Sequence, residues 1–278
     1  AGRLQASDVF DVEQYGRFLA LVDLWGATQG TSLVNLRYYY NPVSARLEPI
    51  GFNANALGSD ARLSLAATYD DPALQTAYVQ EAWRMSQPEY LDELQSGLEP
   101  EWRRLQRTLS AHTLSAEYEG LEPPWDTLRR RQERIRRSLE PVQPVFAYLG
   151  SPTLTISGTL GVDVANVLNL PVEVVGFDVH GATYLPVDRR WLKDESTELL
   201  TVHPDRVALR AFDAARTPVI RYAHFEIPLA EIHRLDNEFN FMQELDIQVA
   251  TRILGLSTTQ LTLAQRGYPD VFTIGVGE

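Results

Sequence analysis

The chain has 278 residues, of which 44% are hydrophobic, enough for two compact units with their own cores. A formal charge of −12 and a pI near 4.9 oppose sequence-independent binding to nucleic acid or to an anionic membrane surface, both of which need basic patches. There is no cysteine, which excludes a disulfide framework and a thiolate zinc site.

The first segment, AGRLQASDVFDVEQ, has no basic stretch leading into an apolar run, and no later run reaches the ~18 apolar residues of a spanning helix. Asp11 followed by Gln14 is a variant capping box. Val12, Tyr15, Leu19 and Val22 then recur at helical spacing, and Gly26 supplies a left-handed stop, so a helix is predicted from Val12 to Trp25. Leu36 to Tyr40 and Arg46 to Phe52 alternate about an Asn41-Pro42 turn and predict a β-hairpin with Asn53 and Asn55 at its exit. Tyr38, Tyr39, Tyr40 and Trp25 are expected to supply core packing plus one exposed aromatic.

Taken together, Phe10 to Leu57 (FDVEQYGRFLALVDLWGATQGTSLVNLRYYYNPVSARLEPIGFNANAL) resembles the C-lobe core of the CotH family, the atypical protein kinases of spore coats. That family's pattern is an amphipathic helix, an N-W-D-x-x-x-H-N loop, an aromatic strand ending in Y-x-x-P and a strand closing on W-D-L-D. The helix, Asn35, the strand Tyr38-Tyr39-Tyr40-Asn41-Pro42 and the strand Leu47-Glu48-Pro49-Ile50 match. The acids do not: the catalytic aspartate position is Gly30, and W-D-L-D reads Phe52-Asn53-Ala54-Asn55. No Asp or Glu lies between Asp23 and Glu48, so no shift of alignment restores one. The resemblance therefore implies a degenerate site. Gly30 and Asn35 occupy catalytic positions and Asn53 and Asn55 metal positions, with no catalytic residue, no metal ligand and no cofactor. These asparagines also suit loops, where their side chains bond nearby backbone and tolerate left-handed geometry. Because the likeness starts in mid-domain, it implies an excerpt of a larger secreted or envelope-associated bacterial protein whose N-lobe precedes residue 1. Its partners would be other proteins or the rest of its parent chain.

Lys193 is the one lysine, in the polar loop-like WLKDESTE, far from the core and poorly placed to anchor a nucleotide. Asp60, Asp70 and Asp71 follow the degenerate positions. Solvated loop roles for the first two and a helix cap for Asp71 are preferred over replacement of the lost acids. Asp71-Pro72 opens a helix, and further helices fit Pro88 to Gln95, Glu101 to His112 and Pro124 to Leu139. The last carries Arg129, Arg130, Arg131, Arg134, Arg136 and Arg137, read as a solvated face paired with Glu133 and Glu140.

Pro141 to Pro152 is proline-punctuated and predicts a boundary. Beyond it the apolar period becomes alternating at 154–156, 160–167, 172–178, 207–212 and 219–227, with 239–255 readable as strand or helix and Gly158 to Gly161 as a hairpin turn. The expected fold is α+β: a helical, kinase-like fragment with a β-hairpin over 1–145, then an antiparallel, immunoglobulin-like β-sandwich over 153–278. There is no nucleophile elbow, P-loop or dinucleotide fingerprint. Histidines 112, 180, 203, 224 and 233 lack ligand spacing; His224 and Glu226 share a strand face and would need His233 to complete a site.

Three functions follow as expectations. The first is a non-catalytic CotH-like scaffold or recognition module. The second is an active atypical Ser/Thr kinase that borrows Mg-ATP-binding residues from an N-lobe. The third is a carbohydrate- or protein-binding sandwich, with Trp191 and Tyr184 as its only aromatic platform.

Overall fold

The computed structural model describes residues 4–56, 71–112, 124–149, 159–168, 170–179, 181–186, 190–192, 223–228 and 246–266. It is mixed α+β, with helices in the first half and antiparallel sheets in the second. The chain divides between Glu140 and Pro141 into two compact units. The division falls at the start of the Pro141 to Pro152 segment, and Val145–Leu149, inside that segment, is a strand of the second unit.

In the first unit a short helix, α1 (Ala6–Val9), precedes α2 (Val12–Trp25). Asp11 caps α2 by accepting the Gln14 N–H at 3.0 Å. At the other end Gly26 is left-handed (φ 63°); its N–H bonds Asp23 O, and the Ala27 N–H bonds Val22 O. This pair of bonds is a Schellman closure, which a residue with a Cβ would strain. The Tyr15–Leu19–Val22 stripe is buried as its spacing requires.

α3 (Pro72–Ser86) starts on the Asp71 cap and buries Leu74, Tyr78, Val79, Ala82 and Met85. It crosses α2 where Gly16 meets Ala77; a Cβ on Gly16 would lie 2.6 Å from the Ala77 carbonyl carbon. Each fully buried leucine here contributes roughly 1.5–3 kcal/mol relative to exposure.

Pro88 to His112 form one helix, α4, where two were expected. Pro100 lies inside it. Residues 96–101 are exposed, so the carbonyl that loses its partner is hydrated, and the Glu99–Arg103 and Glu101–Arg104 pairs hold the flanking turns.

α5 (Trp125–Leu139) buries Leu128, Ile135 and Leu139, and with them Arg131 and Gln132. The arginine run is thus not wholly a solvated face: Arg136 and Arg137 pair with Glu140 and Glu133, but Arg131 and Arg134 turn inward. The hairpin of β1 (Arg37–Asn41) and β2 (Arg46–Ile50) pairs Arg37 with Ile50 through Asn41 with Arg46. Its turn is held by Asn41 Oδ1, which accepts the N–H groups of Val43 and Ser44.

The second unit comprises β3 (Val145–Leu149), β4 (Thr159–Asn166), β5 (Val172–Val179), β6 (Ala182–Tyr184), β7 (Arg190–Leu192), β8 (Ala223–Pro228), β9 (Ile247–Ile253), β10 (Gln260–Leu263) and β11 (Gln265–Arg266). One sheet runs β11-β3-β4-β8, the other β10-β9-β5-β6 with β7 also on β5; all pairings are antiparallel except β11 with β3. Val145, Val162 and Val164 of the first sheet and Val172, Val174 and Val249 of the second fill one core, in which the Phe177 and Phe225 rings lie 5.1 Å apart.

Thr159 to Gly161 pair with β8 rather than turning, because the strand extends until its partner ends at Pro228. Within 239–255 the choice resolves to strand, with alternate residues of β9 buried. The strands expected at 154–156 and 207–212 lie outside the described residues.

Candidate functional site at the hairpin exit

α2 delivers the chain into a 3-10 turn, Thr28–Thr31, in which the Gly30 N–H bonds Ala27 O at 2.9 Å and Thr31 Oγ1 bonds Thr28 O. Polar hydroxyls close this turn locally, which is why a Thr- and Ser-rich segment adopts it. The hairpin then carries the chain out and back, bringing 51–55 against the turn. Gly30 is buried there, and a Cβ on it would lie 3.1 Å from the Ala54 Cβ.

Asn35 Nδ2 donates to Gln29 O at 2.9 Å, while Asn35 Oδ1 accepts Asn53 Nδ2 at 3.3 Å. Asn53 has a left-handed backbone (φ 48°), and its carbonyl accepts the Asn55 N–H at 3.0 Å. Gly30, Asn35 and Asn53 are therefore brought together, with Asn55 adjacent and exposed.

The chemistry available to this arrangement is limited by its charge. Both amides are neutral and satisfy each other or the backbone, so they fasten the turn to the hairpin exit. Asp71, weighed as a replacement acid, is committed elsewhere: Oδ2 accepts the Ser7 N–H at 2.6 Å and Oδ1 the Ala73 N–H at 2.8 Å. Burial pushes its pKa up, but these hydrogen bonds outweigh burial and hold the carboxyl below its ordinary value. Asp60, Asp70 and Lys193 lie outside the described residues. Among the described residues no group of three or more His, Asp or Glu is placed to hold a metal.

The aromatics of the hairpin divide differently from expectation. Tyr38 faces inward, its hydroxyl 2.8 Å from that of Tyr15 and its ring 4.9 Å from Phe10. Tyr39 and Tyr40 are both exposed, at 53% and 58%, and strand alternation puts Tyr39 on the face opposite Tyr38. Phe52 lies beneath the Arg37 guanidinium, 5.0 Å from ring centre to Cζ.

Two further placements were not among the expected site residues. Asp23, on the buried side of α2, accepts the Tyr78 hydroxyl at 3.0 Å and the Arg134 guanidinium at 3.2 Å, joining α2, α3 and α5. In the second unit Asp163 is buried and sits in register with Tyr148 on one side and His224 on the other, on the face opposite Val162 and Val164. Strand alternation puts Glu226 on that same face; His180, His203 and His233 lie outside the described residues. A signal for Asp23 existed, since an acid in the apolar stripe of a helix requires a partner. Tyr184 packs against the core of the second unit rather than standing out as a platform.

No helix among the described residues is long and apolar enough to cross a membrane. No protein-family model, curated protein or solved structure matches this chain, so the site is characterised by its own geometry.

Proposed function

We propose that this chain is a non-catalytic, CotH-like domain of the pseudokinase type joined to an immunoglobulin-like β-sandwich. It would serve as a scaffold or recognition module in a larger secreted or envelope-associated bacterial protein. The observation that carries this reading is the closure of Gly30, Asn35 and Asn53 on one another. Phosphoryl transfer needs carboxylate-held Mg²⁺ and an acid to orient the acceptor hydroxyl. The space beside Gly30 is filled by Ala54, and the Asn35 amide is occupied on one side by Gln29 O and on the other by Asn53 Nδ2. A neutral, internally bonded pair does not offset the cost of dehydrating Mg²⁺.

Strand order supports the immunoglobulin-like half of the reading. In the second unit β3, β4 and β8 share a sheet, with β11 on the outer side of β3, while β5, β6, β9 and β10 run through the other, with β7 also on β5. This corresponds to the A-B-E and G-F-C-C′ arrangement of such sandwiches. Partners are proteins or further parts of the parent chain.

Calorimetric titration with Mg-ATP and transfer of radiolabelled γ-phosphate to the chain or a general protein substrate test the proposal. No binding in the micromolar range and no transfer are expected. Phosphorylation abolished by Asn35→Ala would establish the active-kinase alternative instead.

A further inference from the structure

Ser7 is held by its backbone from two sides. Its N–H is accepted by Asp71 Oδ2 at 2.6 Å, and its carbonyl accepts an N–H of the Arg46 guanidinium. Three residues on, the Phe10 ring lies 5.0 Å from that of Tyr15 and 4.9 Å from that of Tyr38. Phe10 also bridges Leu47 of β2, and the Asp11 N–H bonds Leu47 O at 3.1 Å. Residues 5–10 therefore lie as a strap along the outer side of β2, fastened at Ser7 and again at Phe10. α1, inside the strap, buries none of its residues. The strap's other hydrogen bonds close on itself: the Gln5 N–H to Asp8 Oδ2, the Asp8 N–H to Gln5 O and the Phe10 N–H to Ala6 O. A segment with so little burial and so few outside bonds opens at low cost, well below that of global unfolding.

The surface under the strap keeps its shape without it. Tyr15 comes from α2 and Tyr38 from β1, and their hydroxyls lie 2.8 Å apart, so the two walls of the Phe10 slot hold each other. Asp71 Oδ1 caps α3 through the Ala73 N–H at 2.8 Å, which fixes the carboxylate that reaches Ser7. Arg46 is set by the pairing of β2 with Asn41. An acceptor and a donor of opposite charge thus bracket one residue's backbone, and an aromatic slot lies where the third residue beyond it arrives. Groups already positioned in this way bind a peptide with little ordering cost of their own.

We propose that residues 5–10 are the exchangeable occupant of a peptide-binding groove. When the strap lifts off, the groove takes a peptide that offers a free N–H and C=O at one residue and an aromatic side chain three residues later. This goes beyond the proposed function and holds or fails without it.

Native-state hydrogen exchange of the full chain at neutral pH should show the amides of Ser7 and Asp11 opening at least about a hundredfold more often than those of Leu19 and Val79. The attached strap competes at an effective concentration of about millimolar. A labelled synthetic peptide with the sequence of residues 4–11 should therefore bind the Phe10→Ala chain at least about tenfold more tightly than the wild type, read by fluorescence anisotropy. The same peptide with alanine in place of its phenylalanine should bind neither. Ser7 and Asp11 opening no more often than Leu19 and Val79 would overturn the proposal. So would a peptide that binds neither chain, an alanine peptide that binds as well, or equal binding to both chains, which would signify a site elsewhere. If Phe10→Ala fails to fold, Ser7→Pro, which removes the N–H that Asp71 accepts, takes its place, and exchange in the wild type still decides.

Discussion

The Asp71 carboxylate grips the Ser7 N–H at 2.6 Å, tying the start of α3 to a residue 64 positions earlier. Its pKa is held below the ordinary value, so the stabilisation is fully present above the unfolded value of about 3.9 and is lost as pH falls through the lower folded value. Thermal melts between neutral pH and acid should show the wild type losing stability below about pH 4. Asp71→Asn should be less stable at neutral pH by about 1–2 kcal/mol, the usual worth of a cap, with a flatter acid limb. An unchanged acid limb in Asp71→Asn would assign the loss to other carboxylates.

Asp23 links three helices through one carboxylate. Asp23→Ala should destabilise the chain by about 2 kcal/mol, since it removes the carboxylate that receives both the Tyr78 hydroxyl and the part-exposed Arg134 guanidinium. Tyr78→Phe should cost about 1 kcal/mol. Urea unfolding of both single variants and the double variant should show strong non-additivity; simple addition would mean that the two groups act independently.

Gly16 and Gly97 both sit in helices, yet substitution should move stability in opposite directions. Gly16→Ala drives a Cβ into the Ala77 backbone, which cannot yield as a side-chain tip would, and should cost about 3 kcal/mol. Gly97→Ala meets nothing within 4 Å in an exposed part of α4 and should gain about 0.5–1 kcal/mol. Denaturation midpoints of the two proteins settle the comparison.

Asn53 has φ 48°, a conformation that costs a β-branched residue about 1–2 kcal/mol. Asn53→Val should therefore destabilise by about 2 kcal/mol once its bond to Asn35 is also lost. Asn53→Gly should stay within about 0.5 kcal/mol of wild type, backbone relief offsetting the lost amide. Equal losses in the two variants would show that the hydrogen bond, not the backbone, selects asparagine.

What the sequence revealed was what its neighbours determine. Both ends of α2 were readable because Asp11 and Gly26 act on groups within a few residues of themselves. The Asn41 turn was readable for the same reason. Misreadings arose where a distant partner decides. Arg134 reads as a surface cation until Asp23, 111 residues earlier, is known to face it. Val145–Leu149 reads as linker because prolines flank it, and becomes a buried strand only through pairing with β4. A break was expected between Gln95 and Glu101, but hydration of that exposed stretch lets α4 run on through Pro100. At the site, the loop character of Asn35 and Asn53 was legible, whereas the reason for Gly30 was not, since Ala54 reaches it only after the hairpin folds back.

Ala264 marks where the chain leaves one sheet for the other. β10 lies on β9, β11 lies on β3, and the Ala264 N–H between them bonds Ile247 O at 2.8 Å. Seven residues, Gln260 to Arg266, thus act as a stitch through both layers. Neither layer can peel away without pulling that stitch, so the amides of β3 and β9 should open to solvent in a single concerted event. A load applied along the chain would meet its resistance at this crossing before either sheet began to shear.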